Sequence, residues 1–438
     1  MRPTRVGCYA VYEPPEEGWQ DWPAQFEQVC AELRARDIEV IAAPDAVKDL
    51  ASQQIVGQYF AGQNLDALFA LIITWSFDHY TLEMQQMLQL PVAVRAIPGI
   101  RTGSLVGAQQ LSCTLTDLQV PHCLVYGTVG DETTADESAA FLRACGIRAA
   151  LRGARLAMIG RRTEGMTPTA VDEVEILRLF GTRMVHLGLD ELNDLAAAQP
   201  EPQVAATWQR FRDEAARVMV KTEHGLQTAR NYLACRKLAG EMNLAAMTIG
   251  SYPKCQGTMC LPIAWLNQEG LPTGCEGDVN STLSMLMLST LSREPVHFGE
   301  MLAVDEEQNT IVTSHCGCGS PSLADQNGFI LHPVRLANDG VCIRYTAKPG
   351  PVTFVNLVGR KGNYRLLAFE GQAVETGMVF EGNPLKFVMR SPFRRIWRTI
   401  ADEGFGHHWM TAYGHFNREL FEYCRLSGIR GYFPDLTD

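Results

Sequence analysis

The run Leu65-Asp66-Ala67-Leu68-Phe69-Ala70-Leu71-Ile72-Ile73-Thr74-Trp75 reads as a strand with no wet face. Its apolar residues follow one another instead of alternating, the pattern of a strand inside a parallel sheet covered by helices on both faces. The run is too short for a bilayer span and carries Asp66 near its start. Working outward, residues 5–11, 39–43, 92–96 and 122–126 read as further short strands. Between them, 22–36, 82–88 and 103–118 carry helical spacing. Strand and helix in alternation predict an α/β domain over residues 1–150, Rossmann-like or flavodoxin-like in type.

The pattern starts again near Gly153. Residues 155–159 read as a strand ending in Gly160-Arg161-Arg162, 169–180 as a helix stopped by Gly181, and 182–187 as the next strand. Helices at about 204–218 and 224–240 and a strand at 244–249 complete a second α/β domain over 151–292. The turn Ile159-Gly160-Arg161-Arg162-Thr163-Glu164-Gly165 lacks GxGxxG spacing and reads as an ordinary strand-to-helix turn. After Pro295 the texture changes. Segments 296–304, 309–314, 341–347, 351–358, 363–370 and 385–389 are short strand candidates separated by Gly, Pro or Asn. They predict a mostly antiparallel, β-barrel-like C-terminal domain over 293–438, with a closing helix at 413–428.

Composition narrows the function. The chain has 438 residues, 46% of them hydrophobic, enough for two or three domains with cores of their own. A net charge of −11 argues against a nucleic-acid or anionic-membrane partner. The N-terminus leads straight into a strand with no signal-peptide core, so a cytoplasmic location is expected. The 13 cysteines are scattered and odd in number, which favours free thiols. Cys255 with Cys260, or Cys316 with Cys318, lack the paired spacing of a structural zinc site.

Strong metal ligands recur in the later part of the chain. They stand in Cys275-Glu276-Gly277-Asp278, in Phe298-Gly299-Glu300, in Ser314-His315-Cys316-Gly317 and in Gly406-His407-His408. Asp278 suits the N-cap of the helical run 279–291, which frees Glu276 to point elsewhere. Glu300 lies among apolar neighbours in a strand, where an unpaired carboxylate is costly. His315 ends a strand beside glycines that let backbone approach a ligand, and the His407-His408 pair sits in a glycine-flanked loop. Singly, each residue is more often structural. Together, two carboxylates and two imidazoles are the ligand set of an oxygen- and nitrogen-preferring divalent cation such as Mn²⁺ or Mg²⁺.

These segments resemble the C-terminal region of the L-fucose/L-arabinose isomerase superfamily. Glu300 follows Glu276 by 24 positions and His315 follows by 15 more, matching the family in order, spacing and residue type. The resemblance spans about 250–325 and 404–430. Gly277 stands where many fucose-isomerase-like chains carry Ala, and Glu300 replaces the Asp of that branch, as in the arabinose branch. The resemblance implies Glu276, Glu300, His315 and His408 as ligands of Mn²⁺, with Mg²⁺ or Co²⁺ as alternatives and His407 as a second choice for the late histidine. It also implies a homo-oligomer, a trimer or hexamer, with sites near subunit interfaces.

The chemistry implied is aldose–ketose isomerisation of an open-chain sugar through a cis-enediol. Such a reaction needs a cation to stabilise charge on O1 and O2 and two carboxylates as acid and base, roles for Glu276 and Glu300. Lys254, Gln256 and Trp265 precede Glu276 and are candidates for the sugar pocket, with His407. Arg390, Arg394, Arg395 and Arg398 read first as a solvated helix face and second as an anion site. The second reading would suit an anionic sugar such as sulfoquinovose. Trp75 lies where doubly wound sheets bind ligands. The alternatives are a neutral pentose or 6-deoxyhexose isomerase, another metal-dependent carbohydrate enzyme (an epimerase or aldolase), and a sugar sensor without catalysis.

Overall fold

The structure, a computed structural model, describes residues 2–253, 255, 257–360 and 362–436. Lys254 and Gln256 therefore lie outside the described residues. The chain divides into two compact units, Arg2–Ala149 and the part from Ala150 onward. No helix of the described residues is long and apolar enough to cross a membrane.

The first unit alternates as its apolar runs require. In order come β1 (Thr4–Val11), α1 (Trp22–Arg34), β2 (Ile38–Ala42), α2 (Leu50–Ala61), β3 (Ala67–Ile72), α3 (His79–Leu88), β4 (Val92–Ala96), α4 (Ser104–Asp117), β5 (His122–Tyr126) and α5 (Glu132–Leu151). The strands pair in parallel in the order β2-β1-β3-β4-β5, a doubly wound order whose switch point lies between β1 and β3. All of β3 is buried, so the quoted run is indeed covered on both faces. Tyr9, Leu68, Val94 and Leu111 share one apolar cluster, and each Leu-sized side chain buried there contributes roughly 1.5–3 kcal/mol. Asp49 closes the start of α2 with a reciprocal cap, accepting from Ser52 N at 2.7 Å.

The second unit opens with β6 (Arg155–Ile159), α6 (Glu173–Phe180), β7 (Arg183–Leu187), α7 (Leu189–Ala197), α8 (Glu201–Glu214) and β8 (Arg217–Val218). It continues through α9 (Thr222–Glu241), β9 (Ala246–Ile249), α10 (Cys260–Gln268), β10 (Thr273–Cys275) and α11 (Val279–Ser292). A parallel sheet runs β10-β9-β6-β7. The helix expected at 204–218 ends earlier, at Glu214, because the chain turns at Ala215 to pair β8 with a later strand.

Then come β11 (His297–Asp305), β12 (Thr310–Ser314), β13 (Ile330–Val334), β14 (Asp339–Arg344), β15 (Gly350–Val358), β16 (Arg365–Val374) and β17 (Leu385–Met389). The chain closes with α12 (Phe393–Glu403), β18 (His408–Tyr413), α13 (Asn417–Ser427) and β19 (Arg430–Tyr432). Among the described residues, the antiparallel ladders β15-β18-β11-β12-β17-β16 return on themselves through β15 and β16. The closing helix starts at Asn417, not at 413, since Tyr413 still pairs with Val352. The helix α11 is buried nearly all round because it packs on β9 and β10 and also on β15 and β18. Its N-terminus is thereby held between the parallel sheet and the antiparallel strands.

Candidate metal centre

The turn from β10 into α11 is unusually bent. Glu276 and Gly277 both have left-handed backbone, with φ of 64° and 69°. For a residue with a side chain this costs roughly 1–2 kcal/mol, so the surroundings must hold it. Glu276 O accepts from Thr163 N at 3.1 Å, and Gly277 N donates to Ile249 O at 3.1 Å. A Cβ on Gly277 would stand 2.8 Å from Arg162 Cα, so only glycine fits. The Gly160-Arg161-Arg162 turn therefore serves as the back wall of Glu276, consistent with its reading as something other than a nucleotide loop.

Asp278 is the N-cap of α11, accepting from Ser281 N at 3.0 Å and Ser281 Oγ at 2.7 Å. It also meets His408 Nδ1 at 2.8 Å. A histidine that donates Nδ1–H to a carboxylate presents the Nε2 lone pair outward. The sequence reading missed this second task of Asp278, because a capping role already accounted for it. His408, expected in a glycine-flanked loop, instead opens β18. Main-chain pairing draws residues toward it, since Glu300 of β11 stands opposite both His408 of β18 and Ser314 of β12. Three neighbouring strands thus carry Glu300, His408 and the start of His315 to one place.

Their polar atoms converge. Ligand atoms of Glu276, His315 and His408 lie within 4.8 Å of one another, as do those of Glu300, His407 and His408. Glu276 approaches His408 Nε2 at 3.1 Å and His315 Nε2 at 3.9 Å. Phe298 packs against both imidazoles, with ring centroids at 4.9 Å from His315 and 4.8 Å from His408. His315 Nδ1 lies 3.5 Å from Cys318 Sγ.

Burial and charge act against each other here. Burial pushes His315 down to about 4, so its imidazole is neutral and its lone pair free. Burial also opposes charge on His408, but Asp278 and Glu276 outweigh it and raise His408 to about 10. Burial alone would lift the Glu276 carboxyl, yet His408 and His315 hold it below its ordinary value. Glu300 is raised, first by burial and then by the charge of Glu276.

The arrangement suits a divalent cation. Glu276 Oε2 and His408 Nε2 are buried and face each other at 3.1 Å, and apart from this contact neither atom has a hydrogen-bond partner among the described residues. Asp278 and Glu276 hold a proton on His408, and a divalent cation would take the place of that proton between Nε2 and the carboxylate. Carboxylate oxygen with imidazole nitrogen is a donor set for Mn²⁺, Co²⁺ or Zn²⁺, and less so for Mg²⁺.

The other predicted residues fall elsewhere. Trp265 is 2% exposed in α10, packed 4.2 Å from Phe211 and 5.7 Å from Phe329, as a core side chain. Arg390 pairs with Glu370 at 3.1 Å. Arg394 reaches Glu306 at 2.7 Å and Arg398 reaches Asp402 at 3.6 Å on the exposed side of α12, which fits the solvated-face reading. Trp75 follows β3 in the first unit, with Nε1 donating to Gln110 Oε1 at 3.2 Å and its ring edge-on to Phe77. The 13 cysteines carry no disulfide among the described residues.

No family model matches the chain. It is similar to a sulfoquinovose isomerase from Alkalicoccus urumqiensis, 24% identical over 383 residues that span 83% of this chain and 85% of that protein. A sulfoquinovose isomerase from Clostridium sp. (strain MSTE9) is 27% identical over 73% of this chain and 74% of its own length. An L-arabinose isomerase from Mycolicibacterium smegmatis is 24% identical over 70% of this chain and 63% of its own length. The chain is thus a homologue of proteins named sulfoquinovose isomerase and L-arabinose isomerase, at modest identity over most of its length.

Proposed function

We propose that this protein is a metal-dependent aldose–ketose isomerase whose substrate is sulfoquinovose, an aldose with a sulfonate on C6. The observation that carries the metal dependence is the convergence of ligand atoms, those of Glu276, His315 and His408 and those of Glu300, His407 and His408 each lying within 4.8 Å of one another. Likeness to sulfoquinovose isomerases over most of the chain supports the substrate.

Glu276, Glu300, His315 and His408 would hold the cation, Mn²⁺ by preference with Mg²⁺ or Co²⁺ as substitutes. His407 is close enough to share in binding the sugar or the ion. A divalent cation bound there supplies Lewis-acid stabilisation of negative charge on O1 and O2 of the open-chain sugar. The chain's own residues do the rest. Glu276 and Glu300 act as the acid–base pair: one carboxylate removes the proton from C2 and returns it to C1, while the other hands a proton between O1 and O2. Phe298 walls the site and keeps water from the exchanging proton. Asp278 fixes the ring of His408.

The closed ladder of antiparallel strands supports the barrel-like reading of the 293–438 segment, and the two parallel sheets support α/β domains at 1–150 and 151–292. A homo-oligomer, trimer or hexamer, in the cytoplasm completes the proposal.

The test is NMR of neutral and anionic aldoses incubated in D₂O with Mn²⁺. Ketose formation from sulfoquinovose with deuterium at the exchanging carbon is expected. Sugar binding with no exchange and no ketose would favour the sensor instead, and a product epimeric at one carbon would favour an epimerase.

A further inference from the structure

A cavity of about 410 Å³ opens beside the candidate centre, within the size range of small-molecule sites. Its lining includes Val358, Arg360, Asn363, Arg365, Phe405 and Gly406. It shares Pro168, Val358 and Gly406 with a narrow crevice that reaches Asp278, His407 and His408. Gly406 is two residues from His408, at most ~7 Å along the chain. The two spaces are therefore neighbours on one wall.

The cavity is positive. Arg360 is exposed and has no acidic partner among the described residues. Arg365 donates to the main-chain carbonyls of Glu403, at 2.6 Å, and Gly404, neutral groups that position its guanidinium and leave its charge in place. Acids on flanking segments are already engaged, Asp172 as the N-cap of α6. Glu403 accepts from the Tyr432 hydroxyl at 2.5 Å and lies 3.9 Å from Arg430, while Glu175 holds Arg178 at 2.7 Å and the Gly362 amide at 3.0 Å. This contrasts with α12, where Arg394 and Arg398 face carboxylates.

We infer that this cavity receives the anionic end of the sugar, with Arg360 as the group that selects a sulfonate and Arg365 as a fixed second charge. Guanidinium forks match tetrahedral and planar oxyanions, and charge-assisted bonds are stronger than those to a neutral hydroxyl. A sugar with its C1–C2 end at the Glu276–Glu300 pair would place C6 toward the arginines. The inference deepens the isomerase reading and rests on it for that orientation.

The test compares wild type, Arg360→Gln and Arg360→Lys with sulfoquinovose and D-glucose, measuring binding by calorimetry and turnover by NMR. A KM and Kd for sulfoquinovose weakened at least tenfold in Arg360→Gln are expected, with kcat nearly kept, glucose unaffected and partial rescue by Arg360→Lys. Unchanged sulfoquinovose binding and KM in Arg360→Gln would overturn the subsite and leave the isomerase standing. Weakened sulfoquinovose binding in a protein that isomerises no sugar would uphold the anion site and overturn the isomerase. Preference of the wild type for glucose over sulfoquinovose would overturn the subsite.

Discussion

The strand β3 and the strand pair β11–β18 both form part of a core, but only the pair buries ionisable side chains beside its apolar ones. Every residue of β3 that enters the core is apolar. The start of β11 and β18 also buries His408 and much of Glu300 beside Glu276, with Asp278 against His408. Apolar burial is rewarded wherever it occurs. Buried titratable groups gathered at one point cost free energy, a cost that the proposed ligand chemistry would offset. The difference separates what holds the molecule together from what it does.

The largest effect is expected at the carboxylates. Glu276→Gln and Glu300→Gln should each lower turnover by at least ~1,000-fold, the upper range for an acid–base group, while circular dichroism stays native. Near-normal turnover in both would break the contrast at its strong end. Leu68→Ala does the reverse. It should destabilise the protein by ~2–5 kcal/mol in denaturant titrations and leave KM and kcat of the folded fraction intact. A change in KM without lost stability would contradict the division.

Asp278→Asn keeps the cap shape but weakens the charge that orients His408. Metal affinity should fall ~10–100-fold, read from Mn²⁺ titration of activity. An unchanged affinity would reduce Asp278 to a cap alone.

A smaller effect concerns pH. Burial holds His297 at about 4, where its Nε2 lies 2.8 Å from Asn383 O. Its folded value is depressed below the unfolded ~6.5, so the unfolded chain binds the extra proton as pH falls. The stabilisation is fully present above ~6.5 and is lost between there and about 4, at up to ~1.4 kcal/mol per pH unit. Unfolding of metal-free His297→Gln should show a shallower slope over that window than wild type. Parallel slopes would remove His297 from the account.

What was legible in the sequence follows from range. The apolar continuity of residues 65–75 and the alternation around it are local signals, and the parallel sheets follow from them. Glu276, Glu300 and His315 were legible because carboxylates and an imidazole stood in strand-end or glycine contexts. The strand role of His408 was not, since β18 exists through pairing with β11 and β15, far away in sequence. The partnership of Asp278 with His408 spans 130 residues and leaves no periodic trace. The arginine cluster near Arg390 drew attention because it is dense in sequence, yet density says nothing of partners. Arg360 and Arg365 are sparse and came together only around a cavity.

The central claim is that Glu276 and its neighbours bind a divalent cation. Its most direct measurement is Mn²⁺ binding followed by electron paramagnetic resonance in wild type and Glu276→Gln, at matched folding. About one tight site per chain is expected in wild type, lost or weakened at least tenfold in the variant, as removal of a ligand requires. Equal Mn²⁺ binding in both proteins would contradict it.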